Sequence, residues 1–157
     1  MLKLLLFVFL SGLLPAYLVA AEVAVVRDFQ QEAKLSEQRR LPLLIAFSTA
    51  ECNYCDLLEE EFLQPMLLGS YYKDRVLIRK LELDGDDVRG FAGELLTPSA
   101  FARIYGVTVT PTMLFLDPNG KELSERMIGI ATPELFGGYL DEAIEEALVK
   151  MKARRGF

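Results

Sequence analysis

Cys52 and Cys55 are the only two cysteines in the chain, and they stand two residues apart in Cys52-Asn53-Tyr54-Cys55. Two thiols at this spacing can close a disulfide where the chain turns into a helix at the first of them. The same pair can exchange that bond with a disulfide elsewhere. The chemistry needs a thiolate, and a free cysteine with a pKa of about 8.5 is only a few per cent ionised at neutral pH. A helix N-terminus supplies what is missing, because its unpaired N–H groups and the positive end of its dipole both favour S⁻. Lowering the pKa to about 7 makes about half the thiol ionised, a differential stabilisation of roughly 2 kcal/mol.

The residues around the pair predict that setting. Leu43 to Phe47 is a continuous apolar run that reads as a buried strand, and Asp56 to Phe62 reads as the helix. Cys55, Leu58, Phe62 and Met66 fall at helical spacing, which turns Cys55 toward a core and leaves Cys52 at the exposed helix start. Pro65 ends or kinks this helix. On these grounds Cys52 is the attacking nucleophile and Cys55 the resolving thiol. A plain structural disulfide is the alternative, although so small a loop constrains the unfolded chain little.

Other chemistries are excluded by what the chain lacks. There is no histidine, so no Ser-His or Cys-His hydrolase can be built from it. Asp56 stands where a c-type haem site needs histidine. Two thiolates do not complete a zinc site, so no metal and no cofactor beyond a Cys52–Cys55 redox disulfide is expected. With a net charge of −6 the chain is a poor nucleic-acid binder. Its one basic cluster, Lys150 to Arg155, reads as the C-terminal turn of a helix. The acidic Asp84-Gly85-Asp86-Asp87 fails as an EF-hand, because Arg89 and Leu95 occupy the positions that need Gly and Glu.

Residues 1–21 carry Lys3, an apolar run from Leu4 to Leu10, and the small residues Ala20 and Ala21. This is the pattern of an export signal cleaved after Ala21, with an uncleaved membrane anchor as the alternative. Residues 22–157 have the length of one domain. Val23 to Val26 reads as extended or linker chain, and Asp28 caps a helix from about Phe29 to Arg40. Arg75 to Leu83 reads as a second strand, and Thr97-Pro98 opens a helix that ends at Gly106. Met113 to Leu116, the turn Asp117-Pro118-Asn119-Gly120 and Glu122 to Ile128 read as a hairpin. A last helix runs from Thr132-Pro133 to about Lys152. Strands separated by helices, then a hairpin and a closing helix, predict an α/β sandwich with a mixed sheet.

Three features then carry a resemblance to the thioredoxin superfamily: the C-x-x-C after a strand, Thr110-Pro111-Thr112 opening the next strand, and Asp117 to Glu122 followed by Ile128-Gly129. The finer likeness is to secreted bacterial thioredoxin-related proteins linked to sulfur oxidation and periplasmic thiol reduction. The resemblance implies a thioredoxin-like three-layer sandwich, a cis-proline at Pro111, and a substrate strand held by backbone groups at Thr110. It also matches Lys80 to the family's strand lysine, a modulator of proton transfer. Tyr54 reads either as a substrate-facing aromatic or as loop filling.

The chain departs from cytoplasmic thioredoxin in having Glu51 in place of the Trp before the motif, Ala46 in place of a buried acid, and Asn53-Tyr54 between the cysteines. Lys80 without that acid pairs with Glu82 or lies at the strand edge, and proton transfer to the buried thiol runs differently. The expectation is an exported, monomeric, periplasmic thiol–disulfide oxidoreductase that reduces protein or small-molecule disulfides and is re-reduced by a membrane electron donor. An oxidase or isomerase, or a non-catalytic binding module with a static disulfide, is the alternative.

Overall fold

The computed structural model describes residues 21–153. The export signal read over residues 1–21 lies, but for Ala21, outside them. Among the described residues no helix is long and apolar enough to cross a membrane. The order of elements is α1 (Phe29–Arg39), β1 (Leu43–Ser48), α2 (Asn53–Leu58), α3 (Gln64–Leu68), β2 (Leu77–Glu82), β3 (Val88–Arg89), β4 (Leu95–Leu96), α4 (Pro98–Ile104), β5 (Thr112–Leu116), β6 (Met127–Ile128) and α5 (Pro133–Ala153).

The main sheet runs β2-β1-β5-β6, with β1 parallel to β2 and antiparallel to β5. Alternation along the strands splits the core in two, because successive side chains point to opposite faces. Leu44, Ala46, Ile78, Met113 and Phe115 face one way and pack with Leu58, Leu63, Met66, Phe136, Leu140 and Ile144 from α2, α3, α5 and the turn between α2 and α3. Leu43, Ile45, Phe47, Leu77, Leu114 and Leu116 face the other way, against Phe29 of α1 and Phe101 of α4. This is the mixed-sheet, three-layer α/β sandwich expected from the sequence.

Several boundaries differ for identifiable reasons. The helix after Cys52 passes Pro65 and ends only at Leu68. Between α2 and α3 the chain widens into a π turn over Glu59–Leu63, where the Gln64 N–H bonds to the Glu59 carbonyl. A wider turn just ahead of Pro65 makes room for a ring that carries no N–H. The extra residue also moves the buried stripe, so Leu63 rather than Phe62 is the fully buried position.

Of the two readings of Val23 to Val26, extended or linker, the fold takes the extended one. Its backbone pairs with Lys80 through Val26 N–H to Lys80 O (2.9 Å) and Lys80 N–H to Ala24 O (3.0 Å), covering the outer edge of β2. The return strand read over Glu122 to Ile128 shrinks to a single bridge, Leu116 to Glu122, followed by β6. The small β3–β4 pair after the acidic turn had no signal in the sequence, since two-residue strands carry no periodicity.

Candidate active site

Cys52 sits where β1 has ended and α2 begins. Its backbone is extended (φ −137°, ψ 90°), and its sulfur accepts a hydrogen bond from the Cys55 N–H at 3.2 Å. A side chain in this N-cap position takes up one of the donors that the first helical turn leaves unpaired. The two sulfurs are bonded at 2.08 Å, with the α-carbons 5.2 Å apart. Cys52 is partly exposed, whereas Cys55 is buried at 7 % exposure. The inward and outward placement read from helical spacing is therefore what the fold adopts.

The loop that carries Cys52 is tied down on both sides. The Ala50 N–H donates to Asp84 Oδ2 at 2.9 Å, linking the loop to the acidic turn after β2. Across the site the Thr110 hydroxyl lies 3.5 Å from Cys52 Sγ and 3.5 Å from the Thr49 hydroxyl. The Thr110–Pro111 peptide is cis. The Pro111 carbonyl accepts from Gly129 N–H at 2.8 Å, where a positive φ of 65° suits glycine. The Thr112 hydroxyl donates to the Val109 carbonyl at 2.8 Å, which secures the segment from its other end. Tyr54 projects from the first turn of α2 and is 59 % exposed, with Val109 and Ile128 exposed as well.

Lys80 is further back. Register places it beside Ala46, its partner on β1, so both side chains rise from the sheet face that α2 covers. The ammonium pairs with Glu59 at 3.1 Å and with Glu82 at 3.5 Å. Burial works against its charged form, but the hydrogen bond and charge of Glu59, together with Glu82, outweigh this and raise its pKa above the ordinary value. A cleft of about 310 Å³ opens here, and Cys55, Glu59, Lys80, Glu82 and Asp84 line it.

Thus the structure brings Cys52, Cys55, Thr110 and Pro111 into one cluster, leaves Tyr54 at its rim, and sets Lys80 in the cleft behind Cys55. Sequence reasoning found Glu82 as a lysine partner and missed Glu59 and Thr49. Glu59 had a usable signal, since it stands four residues after Cys55 and so on the same helical face. Its pairing with Lys80 depends on strand register and had none. Among the described residues no cluster of side chains could hold a metal ion.

Comparison with known proteins gives a consistent picture. A family model described as a thioredoxin-like domain matches residues 29–144. No curated protein sequence matches the chain. Among solved structures, it is similar to thioredoxin f from spinach chloroplast at 20 % identity, covering 82 % of this chain and 96 % of that one with a TM-score of 0.55. It is similar to a Malassezia sympodialis thioredoxin at 18 % identity, covering 81 % and 94 % with a TM-score of 0.55. A Nicotiana alata thioredoxin is similar at 23 % identity, covering 78 % and 96 % with a TM-score of 0.51. At these identities the likeness to solved structures speaks for the fold.

Proposed function

This chain belongs to the thioredoxin-like domain family, and from that membership and its Cys52–Cys55 pair we propose that it is an exported dithiol reductase of protein or small-molecule disulfides. The thioredoxin-like domain together with the C-x-x-C makes the chain a thiol–disulfide oxidoreductase. The observation that carries the finer reading is the inequality of the two sulfurs. One is partly exposed at a helix start, and the other is buried behind it.

In the reduced enzyme, Cys52 ionises against the Cys55 N–H and the free donors of the helical turn. Its thiolate attacks one sulfur of a substrate disulfide, forming a mixed disulfide and expelling the first substrate sulfur. Cys55 then attacks Cys52 Sγ, which releases the second substrate sulfur and leaves the Cys52–Cys55 disulfide. The backbone around Thr110 and Pro111, beside Cys52, holds an extended segment of the substrate, and Tyr54 packs against it. Lys80 modulates the proton balance behind Cys55.

The N-terminal pattern of residues 1–21 supports export to the periplasm. An oxidising compartment traps the enzyme as its disulfide, so a membrane electron donor must re-reduce it. The dithiol needs no other cofactor, and a monomer suffices for the chemistry. This reading agrees with the resemblance to secreted thioredoxin-related proteins of the sulfur-oxidation and thiol-reductase type.

The test is insulin reduction with dithiothreitol as electron source. Wild type is expected to accelerate precipitation and Cys52→Ser to show no acceleration. Equal rates for the two would end the proposal.

A further inference from the structure

Cys55 presents a problem that the dithiol scheme leaves open. A buried thiol is harder to ionise than an exposed one, because a low-dielectric setting disfavours the thiolate. Yet Cys55 must lose its proton before it can attack Cys52 Sγ. The strand beneath it offers no base, since the residue paired with Lys80 on β1 is Ala46.

The cleft behind Cys55 holds five charged side chains, and their placement separates them. Asp56 follows Cys55 directly and is exposed, so it points about a quarter-turn away around the helix. Asp84 is exposed and accepts the Ala50 N–H. Glu82 stands at the end of β2 with its side chain 36 % exposed. Glu59 differs from all three. It lines the same cleft as Cys55, and standing four residues further along the helix its side chain is directed back toward the turn that carries Cys55. It is 21 % exposed and fixed at 3.1 Å by the Lys80 ammonium, which is itself only 15 % exposed.

We propose that Glu59, supplied by the helix rather than by the sheet, is the base that takes the proton from Cys55 in the resolving step, and that Lys80 is the positioning residue that holds it there. The step presupposes the dithiol exchange described above. The Cys55 S–H proton passes to the Glu59 carboxylate, directly or through one water in the cleft. The Cys55 thiolate forms a bond to Cys52 Sγ as the bond between Cys52 Sγ and the substrate sulfur breaks. The substrate sulfur leaves with the electron pair and takes up a proton, and Glu59 returns its own to solvent. Lys80 keeps the carboxylate aimed at the cleft and offsets the charge that builds on Cys55.

The reaction of the reduced protein with dithiodipyridine, followed by stopped flow, separates the two events. A first thiopyridone is released when Cys52 attacks, and a second when Cys55 resolves. Glu59→Gln is expected to leave the first phase within about twofold of wild type and to slow the second about tenfold near pH 6. That is the low end for loss of a general base, since water in the open cleft substitutes in part. The deficit should narrow as pH rises past about 9, as the thiol increasingly ionises without a base. Glu60→Gln removes an equal charge from an exposed position and should leave both phases as they are. Lys80→Gln keeps the carboxylate but frees it, and should slow the second phase by a smaller factor.

A second phase in Glu59→Gln within twofold of wild type near pH 6, with the first intact, would overturn the assignment of Glu59 alone. So would a slowing that is the same at every pH, which marks a structural role. Absence of the first phase in wild type would instead overturn the dithiol exchange itself.

Discussion

Replacing Thr110 by valine removes one hydroxyl beside the attacking sulfur and little else. That hydroxyl lies 3.5 Å from Cys52 Sγ, within reach of a sulfur acceptor. In the reduced enzyme the same donor faces a thiolate, and a hydrogen bond to a charged group contributes about 1.5–3 kcal/mol. At this separation, and with the site open to water, the low end applies. About 1.5 kcal/mol divided by about 1.36 kcal/mol per pKa unit gives a shift of roughly one unit.

The sign follows from which form loses its partner. Valine withdraws support from the thiolate, so the Cys52 pKa rises. If it starts at about 7, the ionised fraction at neutral pH drops from about a half to about a tenth, and reactivity falls about fivefold. The redox couple moves far less. The loss of ionisation energy at pH 7 is about 0.35 kcal/mol, or roughly 8 mV for two electrons. Rate rather than potential is therefore the property to measure.

The assay is alkylation by iodoacetamide across pH in a Cys55→Ser background, where a single thiol titrates. The curve for Thr110→Val should shift up by about one unit and meet the parent curve at high pH, where both thiols are ionised. A shift under about a quarter of a unit, or a rate that is lower at every pH, would refute the reasoning.

Two further outcomes follow from the body of the fold. Phe101 stacks on Phe29 at 4.1 Å between ring centres and is 2 % exposed, on the sheet face away from Cys55. Phe101→Ala should cost about 3–5 kcal/mol in urea unfolding while the folded fraction keeps its reductase activity, and a loss below about 1.5 kcal/mol would contradict the packing. At alkaline pH, burial first and then the Asp141 hydrogen bond push Tyr72 up to about 12, while burial followed by the Glu122 and Glu94 charges does the same for Tyr105. Each phenol holds its proton more tightly folded than unfolded, so stability should fall as pH rises from about 10 toward 12. Lys80 acts in the same direction, because an ammonium whose pKa is raised stabilises the fold below its unfolded value of about 10.4 and loses that contribution above it. Tyrosinate absorbance should show two late phenols that titrate normally in denaturant; a single transition near pH 10 in the native protein would count against both environments.

Much of the site was legible in the chain because its signals are local. Cys52 and Cys55 share one turn, and a turn has a known pitch, so which sulfur faces inward could be read from the stripe Cys55, Leu58, Phe62 and Met66. Thr97-Pro98 and Thr132-Pro133 marked helix starts that the fold uses at Pro98 and Pro133. Where a local signal left two readings open, the fold chose between them. Pro65 read as a stop or a kink, and a π turn ahead of it accommodates the ring without ending the helix. Val23 to Val26 read as extended or linker chain, because four residues do not reveal that Lys80 offers them an open strand edge.

By itself the sequence determined the redox pair, the unequal standing of its two sulfurs, the exclusion of histidine chemistry, and the alternation of strands and helices that makes an α/β sandwich. These depend on residue type and on spacing along one element. Only the tertiary structure decided what surrounds the pair. It set the Thr110 hydroxyl against Cys52 across 58 positions of chain, and it brought Glu59 to Lys80 across 21. Such contacts depend on the register of β1 with β2 and β5, and register is fixed by the packing of whole faces, which no short stretch of residues encodes.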